Sequence, residues 1–130
     1  MAATYLDSSA IVKLVIQEPQ SEALRRHLRR RTPLVSSALA RAEVLRALLL
    51  EGAIGLSQGQ DVLNRIDMIR VNDRILNAAE TLLPSELGTL DAIHLASAHQ
   101  LGRDLGQLIT YDDRMLAAAR HLGFTTATPT

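Results

Sequence analysis

The chain has 130 residues, and its 14 Lys and Arg balance 14 Asp and Glu, so the net charge is zero and no global field draws in a polyanion. A hydrophobic share of 47% is ample for a core at this length, while an aromatic share of 2% argues against base-stacking platforms for single-stranded nucleic acid. With no cysteine, disulfides, thiolate metal sites and cysteine nucleophiles are excluded.

Ala3 to Leu6 reads as a buried strand, after which Ser8 or Ser9 can cap a helix carrying Ile11, Val12, Leu14 and Val15. Pro19 suits the first turn of the next helix, which ends in the run Arg29-Arg30-Arg31 before Pro33. Leu34 to Ser36 is a second short strand, and Ser36 or Ser37 then caps a long helix reaching Glu51, with Gly52 as its stop. The segment from Gly52 to Asp67 carries another helix and is the least tied to a sheet, as an exposed arm would be. Met68 to Val71 is a third strand, and Asn72 or Asp73 caps a helix that Pro84 ends. Gly88 and Thr89 open a helix from Leu90 to Leu101. The strand Gln107 to Tyr111, the helix Arg114 to Leu122 and a short strand around Phe124 to Ala127 complete the chain. This alternation predicts one α/β domain over residues 1–130: a three-layer α/β/α sandwich around a mainly parallel sheet of four to five strands.

In such a sheet the carboxyl ends of strands and the neighbouring helix starts face one crevice. Asp7 and Asp112 each close an apolar strand pattern, and Glu43 and Asp91 lie early in helical patterns, so all four are predicted at one edge. Carboxylates packed that closely are tolerable if some protonate or a cation sits among them. Each also has a structural use. Asp7, Asp112 or Asp113 can cap a helix, Asp91 can complement a helix dipole, and Glu43 can pair with Arg41 or Arg46. Glu43 is the hardest to dismiss in this way, because its helix is otherwise almost wholly apolar.

Four blocks carry a family resemblance. They are Tyr5-Leu6-Asp7-Ser8-Ser9-Ala10-Ile11-Val12-Lys13-Leu14, Ser37-Ala38-Leu39-Ala40-Arg41-Ala42-Glu43-Val44, Leu90-Asp91-Ala92-Ile93-His94-Leu95-Ala96-Ser97-Ala98 and Thr110-Tyr111-Asp112-Asp113-Arg114-Met115. In this order and over nearly the whole chain they resemble the PIN domain, and more narrowly the VapC-type toxins of bacterial toxin–antitoxin pairs. The resemblance implies a Mg2+- or Mn2+-dependent endoribonuclease acting as a growth-restraining toxin. Asp7, Glu43, Asp91 and Asp112 would be its catalytic acids, with Asp7, Asp91 and Asp112 nearest the metal and Glu43 acting through water. Ser9, Thr110 and Asp113 would support them, and Arg114 would touch substrate phosphate. The resemblance also implies an RNA substrate, a VapB-like antitoxin and a homodimer. A housekeeping PIN nuclease of RNA maturation or decay, or a non-catalytic PIN-like binding module, is the alternative.

Haloacid-dehalogenase-type phosphotransferases need a second Asp where Ser9 stands, and receiver domains need a Lys near the last strand, where there is none. His94 reads as a satisfied core histidine, and Arg25 to Arg31 as a solvated helix face. No apolar run approaches membrane-spanning length and no signal core opens the chain, so a soluble, cytoplasmic protein is expected.

Overall fold

The computed structural model describes residues 2–130 and contains five strands, β1 (Ala3–Leu6), β2 (Leu34–Ser37), β3 (Asp67–Ile69), β4 (Leu105–Ile109) and β5 (Thr126–Ala127). Its α-helices are α1 (Ser8–Val15), α2 (Ser21–Leu28), α3 (Leu39–Ala47), α4 (Gly52–Leu63), α5 (Asp73–Glu80), α6 (Thr89–His99) and α7 (Asp113–His121). The strands form one parallel sheet in the order β3-β2-β1-β4-β5. The central strand β1 is buried along its whole length.

Strand alternation divides the core. Leu6 and Ile109 point to one face and pack with Ile11, Leu24, Val44, Leu48 and Leu63, so α1 to α4 cover that side. Tyr5, Val35 and Leu108 point to the other, where Leu95, Ala98, Met115 and Ala119 of α6 and α7 meet them. On the outer flank of α6, Ile75 of α5 packs against Ile93 and Ala96. The chain runs outward from β1 to β3, then returns past β1 to β4 and β5. Because β-crossover-β units are right-handed, this reversal puts the later helices on the opposite face from the earlier ones. The reversal falls between β1 and β4, and a crevice opens at their carboxyl ends. Asp7 and Thr110 stand there, immediately after the paired residues Leu6 and Ile109.

Several boundaries differ from the sequence expectation. The long helix to Glu51 is broken: α3 stops at Ala47, a 3-10 turn spans Leu49–Glu51, and Gly52 adopts φ +73° at the start of α4. A residue with a side chain strains at that φ, which is why the break falls there. The segment after Gly52 is no free arm, since Leu63 and Ile66 are buried in the core and Gly59 abuts Leu48. The third strand is Asp67–Ile69 rather than Met68 to Val71, and the fourth begins at Leu105 and ends at Ile109. No described helix is long and apolar enough to cross a membrane.

Candidate functional site

Asp7 leaves β1 and its side chain caps α1, with Oδ1 accepting from Ala10 N at 3.0 Å. It is only 2% exposed, and two hydroxyls hold it. Ser9 Oγ donates to Oδ1 at 2.6 Å and itself accepts from Tyr111 N at 2.9 Å. Thr110 Oγ1 donates to Oδ2 at 2.5 Å and accepts from Asp112 N at 3.0 Å. Two amides of the turn after β4 are thus relayed, through one hydroxyl each, to the two oxygens of Asp7. Burial pushes the Asp7 carboxyl above its ordinary value, against the opposing pull of Ser9, Thr110 and the Ala10 amide. Ser9 and Thr110 therefore spend their protons on Asp7 rather than on any outside oxygen.

Glu43 sits on α3 beside the buried Ala40 and Val44, with 23% of its side chain exposed. Neither Arg41 nor Arg46, its candidate partners, forms an ion pair with it among the described residues. Glu43 Oε1 instead meets Ser8 Oγ and His94 Nε2, each at 2.6 Å. Burial opposes its charge, but the hydrogen bonds from His94 and Ser8 outweigh burial, and the carboxyl titrates below its ordinary value.

Asp91 lies in the first turn of α6, whose residues from Ala92 to Ala98 are all buried. None of the side-chain hydrogen bonds or ion pairs among the described residues involves it. Its carboxyl is pushed up by burial, then by the charges of Asp112 and Asp7, with Glu43 adding to them and His94 opposing. Asp112 caps α7, its Oδ1 accepting from Arg114 N at 2.9 Å and Met115 N at 3.1 Å. Asp113 is exposed in the first turn of that helix, and its charge is not among those acting on Asp91.

All four predicted acids thus stand at one edge, where Asp91 feels the charges of the other three. Among the described residues, no three His, Asp or Glu groups close into a ready-made cage for an ion. A magnesium-type ion does not need one, since it keeps several waters and takes one or two carboxylates directly. The donor set is all oxygen, and Asp91 is repelled by its carboxylate neighbours and held by no described side-chain hydrogen bond or ion pair. These features fit the oxygen donors that a hydrated divalent cation takes.

Arg114 is exposed at the start of α7 and lines an open groove of about 810 Å3 with Leu83, Pro84, Leu87 and Ala117. None of the four acids lines that groove. The Arg29 to Arg31 run is remote. Arg30 and Arg31 lie beside Ala2, Thr4 and Gly106 where the strands begin, and β1 separates them from Asp7 by on the order of 13 Å. His94, Tyr5 and Ser8 belong to the site although the sequence pattern did not assign them to it. Strand alternation puts Tyr5 on the side of Asp7, and helical spacing puts His94 on the side of Asp91, so a signal existed.

A doubly wound parallel sheet with four acids at its switch point defines the class. The PIN domain family model matches residues 4–121, and the chain belongs to that family. Within it the chain is VapC-like. It is 60% identical over 129 residues to Ribonuclease VapC46 of Mycobacterium tuberculosis, covering 99% of both chains. It is 37% identical to Ribonuclease VapC47 of the same species, covering 96% of each. Among solved structures, Mycobacterium tuberculosis VapC20, described as a sarcin-ricin loop cleaving toxin, superposes with a TM-score of 0.76 at 16% identity, covering 98% of this chain and 100% of that one. A chain of a toxin–antitoxin complex from Klebsiella pneumoniae also gives 0.76, at 21% identity and 98% coverage of both. At these identities the superpositions establish the shared fold.

Proposed function

We propose that this protein is a Mg2+- or Mn2+-dependent endoribonuclease, the toxin of a toxin–antitoxin pair, carried by one PIN-like domain. The observation that carries the reading is Asp91, a half-buried carboxylate without a described partner and facing Asp7, Asp112 and Glu43. The relatives named as VapC ribonucleases support the substrate class. When bound, the ion supplies a water of lowered pKa and offsets charge on the leaving oxygen.

The chain's own residues do the rest. Ser9, Thr110 and the Ala10 amide fix the rotamer of Asp7, so that its oxygens meet the cation with little reorganisation. Asp91 and Asp112 complete the charge, and Asp112 is held by its capping bonds to α7. Glu43 anchors one oxygen on Ser8 and His94, and its Oε2, which none of the described hydrogen bonds uses, orients or deprotonates the attacking water. Arg114 at the rim contacts a substrate phosphate.

An antitoxin segment covers the apolar rise of Leu49, Leu50 and Ile54, which are 55%, 98% and 75% exposed.

The test is purified, antitoxin-free protein on structured RNAs with and without Mg2+ or Mn2+, beside Asp7→Asn and Asp91→Asn. Cleavage that needs the metal and both acids is expected. Undiminished cleavage by both variants, or cleavage indifferent to a chelator, would sink the mechanism. Growth arrest relieved by a co-expressed antitoxin separates the toxin from a housekeeping nuclease.

A further inference from the structure

His94 is 1% exposed, yet both ring nitrogens are engaged across separate parts of the fold. Nδ1 lies 2.7 Å from the hydroxyl of Tyr5, which is itself fully buried, and the two rings meet edge to face at 81°. Nε2 lies 2.6 Å from Glu43 Oε1. A carboxylate oxygen only accepts, so the contact with Glu43 Oε1 places a proton on Nε2 and leaves Nδ1 of a neutral ring to accept from Tyr5. Ser36 Oγ donates to Leu6 O at 2.6 Å, and Ser97 Oγ donates to Ile93 O at 2.7 Å, so neither serine supplies a proton to the Tyr5 hydroxyl.

We propose that Tyr5 and His94 form a buried positioning relay for Glu43. The Tyr5 hydroxyl donates to Nδ1, which fixes His94 as the neutral tautomer carrying its proton on Nε2, and that N–H holds Glu43 Oε1. The inference rests on the nuclease reading of Glu43 but concerns residues outside the acid set. Burial keeps the Tyr5 phenol protonated far into the alkaline range, so it stays a donor. Ser8 supplies a second donor to the same carboxylate oxygen. With Oε1 tied twice, the carboxylate is held in one orientation, and Oε2 is left free of described hydrogen bonds. The role requires no change in protonation of the ring. Partners that orient a working carboxylate or imidazole in this way are typically worth about 10- to 100-fold in activity.

Three measurements test the relay. In 15N-labelled wild type, long-range proton–nitrogen correlation should show His94 protonated at Nε2 and bare at Nδ1. A proton on Nδ1 overturns the proposal. Tyr5→Phe keeps the ring and removes only the hydroxyl. It should lower kcat roughly tenfold with KM within about twofold, and should add nothing in a Glu43→Gln background. Wild-type kcat in folded Tyr5→Phe, or an equal loss in both backgrounds, overturns it.

The third arm compares His94→Gln, which keeps an uncharged N–H donor, with His94→Leu, which only fills space. Gln should retain more activity, and the reverse order overturns the relay. If wild type shows no metal-dependent cleavage, the nuclease reading falls, and the position of the ring proton still decides the relay.

Discussion

Asp91 lies in the field of Asp7 but shares none of the donors that hold it. Asp7 is buried and triply hydrogen-bonded, so its carboxyl is held in place by the protein itself, although burial still pushes it above its ordinary value. Asp91 meets like charges, and no described side-chain hydrogen bond or ion pair holds it. This asymmetry separates a residue that is structurally built in from one that waits for a ligand.

Asp91→Asn should therefore divide stability from activity. A carboxyl whose pKa is raised on folding costs stability once the pH exceeds its unfolded value, and Asp91 is raised. At neutral pH and without metal, the variant should melt slightly higher than wild type, by about 1–2 °C, kept small because the group is half open to screening solvent. Cleavage should fall by at least about 100-fold, as when one preorganised electrostatic contact is removed. Divalent metal should raise the wild-type Tm, by about 2.7 kcal/mol of stability at 100 times Kd, and leave the variant nearly unmoved. Thermal melts with and without Mn2+ check both halves. A variant less stable than wild type without metal would contradict the account.

Thr110→Val removes the donor to Asp7 Oδ2 and the acceptor of the Asp112 amide in one step. Leaving buried polar groups unmatched costs about 1–3 kcal/mol, so urea midpoints should fall accordingly. Thr110→Ser keeps the hydroxyl and should recover most of the loss. Damage from Ser but not from Val would point to the methyl group instead.

Glu43→Gln should show a pH-dependent stability difference. Glu43 titrates lower in the folded state than when unfolded, so its charge stabilises the fold above the ordinary value of 4.5. That contribution is lost as the pH falls from there through the lower folded value. Wild type should exceed the variant by roughly 1 kcal/mol at neutral pH, at the low end for a charged hydrogen bond because solvent screens part of it. The two should converge in acid, and urea unfolding at a series of pH values reads the convergence directly.

Gly59→Ala tests the docking of α4. A Cβ there would run into Leu48 Cδ1, and Leu48 is fully buried. Overpacking of this kind costs about 1–3 kcal/mol. A loosely attached arm would accept the alanine with no change in the denaturant midpoint.

The order of strands and helices and the gathering of the acids were legible because apolar runs and helix starts are local signals. Boundaries were harder to read. Leu48-Leu49-Leu50-Glu51 has the composition of a continuing helix, and only the positive φ of Gly52 together with the burial of Leu48 imposes the break. The start of β4 at Leu105 was hidden because Gly106 looks like a loop residue. Yet Gly106 approaches Ala3 O so closely that a Cβ would sit 3.1 Å from it. The pairing of Glu43 with His94 was illegible for another reason. The residues are 51 apart, no periodicity links them, and the nearer arginines offered an obvious partner.

The hydroxyl of Thr110 and the carboxylate of Asp7 meet across 103 residues of chain. A nascent polypeptide therefore carries no assembled site until its fourth strand has left the ribosome and paired beside the first. A toxin built this way is harmless to the machinery making it for most of its own synthesis. A single proteolytic cut that lets those two strands part disarms it without touching a catalytic residue.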